Sequence, residues 1–214
     1  MRRTGSLCRL LFCLLLLLLA APVGAQADDE GWISLFDGQT LGVWQTAKNY
    51  KSGETVVESG AIQLKPGVVA TGIRYTDEEH PFPTTNYELE YSAMRVQGCD
   101  FFAAATFPVG DSFCTFVNGG WGGTLVGLSS LNGLDASENS SSSSYDFKDK
   151  VWYTFRIKVT DESITVSIDD EEVVKADIRG QQLSVRLEMM SCRPLGFASW
   201  VCYGAIRSIR YRTL

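Results

Sequence analysis

The chain has 214 residues and a formal net charge of −6. This charge argues against electrostatic binding to nucleic acid or to an anionic membrane surface. His80 is the only histidine. A Cys/His zinc site is therefore nearly excluded, and Ser-His-Asp or Cys-His catalysis would have to use His80 itself.

The N-terminal segment has the pattern of a secretory signal peptide. Two arginines precede an apolar run over residues 10–21, and small residues follow from Val23 to Ala25. The run is well short of the about 20 residues that a membrane-spanning helix needs. We therefore expect a signal peptide over residues 1–25 and a single secreted or extracytoplasmic domain (periplasm or cell envelope) over residues 28–214. No membrane insertion is expected after cleavage.

The first half of the expected mature chain favours short strands separated by turn residues. The predicted elements are an edge strand at 33–36, a hairpin at 55–69, a strand at 71–75, a proline-containing loop at 77–85 and three strands within 87–123 that end in a glycine-flanked tryptophan.

The second half continues in the same way and shows no capped helix with a 3.6-residue apolar stripe. The predicted elements are a strand at 124–128, an exposed serine-rich loop at 132–144, a strand at 151–159, a hairpin that turns at 169–171, and strands at 184–190, 197–203 and 205–211. Many short alternating strands with frequent turns indicate an all-β protein, a two-sheet sandwich or barrel.

Four cysteines follow the expected signal peptide, namely Cys99, Cys114, Cys192 and Cys202. In an oxidising compartment they allow up to two disulfide bridges, with three possible connectivities.

Two terminal motifs resemble those of a known family. The opening GWISLFDGQTLGVW (31–44) and the closing AIRSIRYRTL (205–214) are similar to the ends of the 3-keto-disaccharide hydrolase family, also described as 3-keto-glucoside lyase/hydratase. The resemblance implies a concanavalin A-like jelly roll of two antiparallel sheets that holds a carbohydrate in the groove of one sheet. It also implies, for some members, cleavage of glycosides whose 3-hydroxyl has been oxidised to a ketone. No catalytic motif of the family matches here residue by residue.

Three carboxylates are candidates for the base of such a reaction, namely Glu90, Glu188 and Asp100. Glu88 and Glu90 lie two apart on one face of a predicted strand, with Cα atoms about 6.5–7 Å apart, within the range used by paired carboxylates in ordinary glycoside hydrolysis. A 3-keto sugar needs one base and one group that holds the developing enolate oxygen. The alternative is that these charges face solvent outside the sandwich, paired across strands. For Asp100 the alternative, equally supported by the sequence, is a turn residue whose carboxylate accepts hydrogen bonds from local backbone amides.

Arginines supply the candidate enolate or hydroxyl partners. Arg186 shares the polar face of a predicted strand with Glu188, and a mixed Glu/Arg groove results if that strand and the strand of Glu90 belong to one sheet. Arg95 falls on the apolar face of its own strand, where an unpaired charge is poorly tolerated. It is expected to pair with a buried carboxylate such as Asp100, or to sit past the end of the strand.

The most unusual local feature is Asn118-Gly-Gly-Trp121-Gly-Gly. Glycines on both sides leave the indole open to a ligand, and an aromatic face suits the C–H face of a pyranose. The alternative is a core tryptophan flanked by tight turns. The candidate substrate-binding set is Arg186, Arg95, Asn118, Trp121 and Glu88.

The loop around Asp135 and Glu138 is weakly similar to a calcium-binding loop but lacks the central glycine and the final glutamate. We assign no metal ligands and predict no cofactor, leaving a divalent metal open, and the oligomeric state is undetermined. Two functions from different classes lead, with a structural adhesion domain of the cell envelope as a third option. One is a 3-keto-glycoside hydrolase or lyase acting by proton abstraction and elimination. The other is a non-catalytic, lectin-like carbohydrate-binding module of the cell envelope.

Overall fold

The computed structural model describes residues 31–214. The predicted signal peptide over residues 1–25 lies outside the described residues. Within the described part, no helix is both long and apolar enough to cross a membrane.

Nearly all of the regular secondary structure in the described chain is β-strand. The strands are β1 (Ile33–Ser34), β2 (Trp44–Thr46), β3 (Thr55–Glu58), β4 (Ala61–Leu64), β5 (Ala70–Tyr75), β6 (Tyr87–Gln97), β7 (Ala104–Val109), β8 (Ser112–Gly119), β9 (Leu125–Ser129), β10 (Ser143–Ser144), β11 (Trp152–Val159), β12 (Ser163–Ile168), β13 (Glu171–Asp177), β14 (Gly196–Trp200) and β15 (Tyr203–Thr213). A one-turn helical segment at Gly120–Gly123, which we call the glycine turn, follows β8, and a 3₁₀ helix spans Leu187–Cys192.

These strands form two antiparallel sheets. The eight-stranded sheet has the order β13-β12-β11-β6-β15-β4-β3, with β1 paired to β15, and the seven-stranded sheet has the order β10-β9-β8-β7-β14-β5-β2. The inner faces of the two sheets pack together through aromatic rings: Tyr91 of β6 contacts Phe197 of β14 with ring centroids 4.7 Å apart. The predicted all-β sandwich of two antiparallel sheets is confirmed.

Strand β6 shows how the alternation in the sequence builds this sandwich. Tyr87, Leu89 and Tyr91 are fully buried in the core between the sheets, whereas Glu88 and Glu90 point to the outer face, where they form ion pairs. Successive side chains of a strand point to opposite faces. The two-residue alternation of apolar and polar residues in the sequence therefore places the apolar side chains of β6 on one face, which is the buried one.

The strand expected at 184–190 is wrong, because the chain there forms the 3₁₀ helix across the outer face of the seven-stranded sheet. With about three residues per turn, Met189 and Cys192 fall on one side of this helix and are buried against Ala70 and Ala198. The sheet can accept them because its residues here are small: a Cβ added at Gly72 would lie 3.2 Å from the Cys192 Sγ.

All four cysteines of the described region are free thiols. Cys114 belongs to the core between the sheets, whereas Cys192 packs on the outer face of the seven-stranded sheet, so that sheet lies between them. Cys202 sits beside the Asp100 backbone, whose amide donates to its sulfur at 3.0 Å.

Candidate functional site

A cavity of about 210 Å³ opens on the outer face of the seven-stranded sheet. The sheet supplies its floor, the loop before β7 and the glycine turn supply one wall, and the segment leading into the 3₁₀ helix supplies the other. The lining residues are Asp100, Phe101, Ala104, Thr115, Val117, Trp121, Ser129, Arg186, Glu188, Met189 and Trp200. A cavity of this size is small beside the about 300–1,000 Å³ of typical ligand pockets, so it suits a single sugar ring.

The glycine turn places a tryptophan at the rim of this cavity. Trp121 has φ 47° and ψ 54°, a left-handed conformation that costs energy in a residue with a side chain. Trp121 is 48% exposed, although large aromatic residues are usually well buried. The structure therefore presents the indole as an open stacking surface and rules out the alternative of a core tryptophan.

Asp100 lies in the wall beside Trp121. Its carboxylate accepts hydrogen bonds from the Phe101 amide at 2.8 Å and from the Trp121 amide. Burial raises the pKa of Asp100, and these two hydrogen bonds only partly oppose the rise. A carboxylate whose pKa is raised is a stronger base than an exposed aspartate, and such groups cluster at functional sites.

The opposite wall carries a cation held by two carboxylates. Arg186 donates from Nε to Oε1 of Glu188 at 2.5 Å and from Nη1 to Asp135. Burial of Arg186 lowers its pKa, but these two bonds outweigh that effect and leave the pKa raised. Ser129 also donates to Asp135. The guanidinium is thus fixed in orientation at the edge of the cavity that contains Asp100.

The Asp135 carboxylate of the calcium-like loop is held by protein groups. The Asp135 oxygens bind Ser129 and Arg186, and residues 31–214 contain no group of three or more Asp, Glu, His or Cys side chains that could hold a metal ion.

Arg95 is placed beneath the glycine turn and does not line the cavity. It donates to the carbonyl oxygens of Gly123 at 3.0 Å and Phe147 at 2.6 Å, and to Asp149 at 2.6 Å. Arg95 lies within β6 and pairs with a carboxylate, but the partner is the half-exposed Asp149 and not a buried carboxylate such as Asp100. Through Gly123, Arg95 positions the turn that carries Trp121.

Asn118 faces the interior of the sandwich. Its side chain is fully buried, and Oδ1 accepts a hydrogen bond from the Ala103 amide at 3.2 Å. The structure therefore does not bring Asn118 into the cavity, although it comes directly before the glycine turn.

Glu88 and Glu90 lie on the outer face of the eight-stranded sheet, away from this cavity. Glu90 accepts hydrogen bonds from Arg156 at 2.7 Å and from Arg210 at 2.8 Å, and Glu88 accepts one from Arg212 at 2.7 Å. The condition for a mixed Glu/Arg groove, that the strands of Glu90 and Glu188 share a sheet, is not met. The alternative of cross-strand charge pairs outside the sandwich describes this face.

Sequence reasoning missed several lining residues. Trp200 is one of them: it lies on the opposite face of β14 from the buried Phe197, and this two-residue parity was the available signal. Nothing in the sequence marks Asp135 as the partner of Arg186, because 51 residues separate them along the chain.

Solved structures of carbohydrate-related proteins share this fold at low sequence identity. A Parabacteroides distasonis protein provisionally assigned as a glycosyl hydrolase is 12% identical, covers 86% of this chain and 94% of its own, and gives a TM-score of 0.55. The Crh5 transglycosylase is 16% identical, with coverage of 86% and 84% and a TM-score of 0.59. Carbohydrate-binding module CBM66 from Bacillus subtilis is 13% identical, with coverage of 82% and 97% and a TM-score of 0.51. These matches support the jelly-roll architecture.

A comparison with curated proteins gave no match. A family profile, in contrast, matches residues 31–212, which is nearly the whole described chain. The chain therefore belongs to the 3-keto-alpha-glucoside-1,2-lyase-like domain family.

Proposed function

We propose that this domain is a lyase or hydrolase for 3-keto-glycosides that holds one sugar ring in the cavity between Trp121 and Arg186. The observation that carries the proposal is Asp100, a carboxyl group with a raised pKa in an aromatic-rimmed cavity that also contains a fixed cation. A base and an electrostatic partner in one small cavity are what proton abstraction next to a ketone requires.

The elimination step uses each of these groups. Asp100 takes the proton from C2, next to the C3 ketone, and the freed electron pair forms the enolate. Arg186 stabilises the negative enolate oxygen. The C1–O bond then breaks, its electrons leave with the aglycone oxygen, and that oxygen takes up a proton. The products are a free alcohol and a ring with a C1=C2 double bond, to which water can add in the hydrolase variant of the reaction.

The other lining residues have supporting roles. Trp121, with Phe101 and Trp200 nearby, offers aromatic faces for the C–H face of the sugar. Glu188 holds Arg186 in place and is a second candidate base. The signal-peptide pattern supports an extracytoplasmic location for this reaction.

The test is the release of a chromogenic leaving group from a 3-keto-glucoside. We expect Asp100→Asn to lower kcat by about 10²–10⁴-fold, the usual contribution of a positioned general base. Asp111→Asn is the matched control, because Asp111 is an exposed carboxylate in the β7–β8 turn. Full activity of Asp100→Asn together with a loss in Glu188→Gln would transfer the role of base to Glu188, and inhibition by EDTA would add a divalent metal.

The second candidate is a non-catalytic carbohydrate-binding module, favoured by the resemblance of the fold to CBM66. Retention of the folded protein on a glycan array without any release from the 3-keto-glucoside would contradict the enzyme proposal and support the module.

A further inference from the structure

A second groove lies on the same face of the molecule, on the other side of the 3₁₀ helix. Its volume is about 650 Å³, and it is open to solvent. The lining residues are Gln45, Thr46, Lys48, Arg74, Phe113, Met190, Ser191, Arg193 and Pro194. We call it the basic groove, because the charged residues among those described in its lining are Lys48, Arg74 and Arg193, all of them cations.

The three cations of the basic groove differ from most arginines of the described chain. Six of the described arginines form ion pairs with carboxylates, namely Arg95, Arg156, Arg179, Arg186, Arg210 and Arg212. Within residues 31–214, no carboxylate lies within ion-pair distance of the cations in the groove. The Arg74 guanidinium donates to the Gln45 amide oxygen at 3.5 Å.

Two contacts orient the Arg193 side chain. Its guanidinium lies over the Phe113 ring at 5.1 Å from the centroid, and its Nε donates to the Met190 carbonyl at 3.4 Å. Stacking of this kind leaves the other guanidinium N–H groups free to bind an anion, and planar arginines bind carboxylate and sulfate groups through paired N–H donors. Phe113, Met190 and Pro194 add an apolar floor beside these donors.

The basic groove adjoins the sugar cavity. Phe113 and Thr115 point to the same face of β8, about 7 Å apart, and Thr115 lines the cavity. Met189 lines the cavity and the next residue, Met190, lines the groove. A saccharide longer than one ring could therefore extend from the cavity into the groove.

We propose that the basic groove is a subsite for an acidic sugar residue, one that carries a carboxylate or a sulfate ester, on the glycan whose reacting ring occupies the cavity. This inference rests on the proposed function, since it requires a sugar in the cavity. Charge complementarity selects the ligand: the whole chain carries a net charge of −6, and the groove concentrates unpaired positive charge at one place.

The test compares three gluco-configured trisaccharides that differ only at the terminal residue, which is glucose, glucuronate or 6-sulfoglucose. Affinities are measured by calorimetry for wild type and for Arg74→Gln/Arg193→Gln. The control is Lys148→Gln/Lys175→Gln, which removes the same charge from exposed residues outside the groove.

We expect wild type to prefer an acidic trisaccharide, and Arg74→Gln/Arg193→Gln to weaken its binding about tenfold while changing the neutral trisaccharide less than about twofold. The preference should shrink as added salt shortens the Debye length from about 30 Å to about 3 Å. A preference for only glucuronate or only 6-sulfoglucose would identify the anion.

Equal affinity for neutral and acidic trisaccharides, or equal losses in the control, would overturn the inference while leaving the 3-keto-glycoside activity untouched. Binding of acidic trisaccharides without any turnover of the 3-keto-glucoside would overturn the enzyme proposal and support the acidic subsite.

Discussion

Asp100 is the site residue whose ionisation lowers the stability of the folded chain. Burial raises the pKa of its carboxyl group above the usual value of an aspartate, so ionising it opposes folding. Its two backbone donors, from Phe101 and Trp121, reduce this cost without removing it. The same environment that makes Asp100 a better base therefore makes it a local source of instability.

We predict that Asp100→Asn is more stable than wild type near neutral pH. Because the pKa of Asp100 is higher in the folded than in the unfolded chain, the wild-type penalty is absent below the unfolded value of about 3.9 and fully present above the folded value. The gain in Tm should therefore disappear as the pH falls toward about 3, which calorimetry over a pH series would show.

The matched comparison is Asp111→Asn, whose carboxylate is exposed and whose substitution should change Tm little at any pH. An Asp100→Asn protein that is less stable than wild type at neutral pH would show that the two backbone hydrogen bonds outweigh burial.

At the scale of elements, the glycine turn is held by contacts from below. Gly122 and Gly123 both have positive φ, 99° and 104°, which a side chain tolerates poorly. They differ in their surroundings: a Cβ at Gly122 would meet open space, whereas one at Gly123 would lie 2.9 Å from Arg95 Nη1. Arg95 cannot easily move away, because three hydrogen bonds hold it.

We predict that Gly122→Ala lowers the free energy of unfolding by about 1 kcal/mol, and Gly123→Ala by about 2–3 kcal/mol, because the clash with Arg95 adds to the same backbone strain. Urea denaturation measures both. Gly123→Ala should also weaken sugar binding, since the displaced turn carries Trp121. Equal losses in the two variants would show that Arg95 does not support the turn.

The 3₁₀ helix separates the cavity from the basic groove, and its neighbouring methionines provide a second matched pair. Met189 is buried against the sheet, whereas Met190 is 39% exposed. We predict a loss of about 2–3 kcal/mol for Met189→Ala, from lost burial and the cavity that remains, and a change within about 0.5 kcal/mol for Met190→Ala. Chemical denaturation would check this, and similar losses would contradict the docking of the helix.

At the scale of the whole described molecule, the carboxylates on the two sheets have different kinds of partner. On the eight-stranded sheet, Glu88 and Glu90 are almost fully covered by the cations that pair with them. On the seven-stranded sheet, Asp100 faces a cavity and is paired with backbone amides only. The first arrangement stabilises a sheet, and the second leaves the Asp100 carboxylate without a cation that pairs with it, as the proposed function requires of a base.

We predict that Glu90→Gln lowers the free energy of unfolding by about 1–3 kcal/mol, because Arg156 and Arg210 lose a shared and nearly buried anion. Turnover of a 3-keto-glucoside should stay within about twofold of wild type, since Glu90 lies in the sheet opposite the cavity. Denaturation and steady-state kinetics on one preparation measure both quantities. A Glu90→Gln protein that is stable but has lost turnover would contradict this prediction and place the active site on the eight-stranded sheet.

The sequence by itself determined the all-β class and the buried face of β6, and it marked the glycine-flanked Trp121 without deciding whether this residue is open or buried. These features depend on local signals: the two-residue period of strands, and glycines that permit a left-handed backbone. It also marked Asp100, which stands next to an apolar strand.

Only the tertiary structure decided which sheet each charged strand joins. Alternation separates inner from outer side chains but is the same for both sheets of a sandwich, so it could not separate Glu90 from the true neighbours of Asp100. It likewise could not show that residues 184–190 leave the strand pattern to cover the small side chains of the sheet. Nor could it pair Arg186 with Asp135, because that contact is made only after distant segments of the chain pack together.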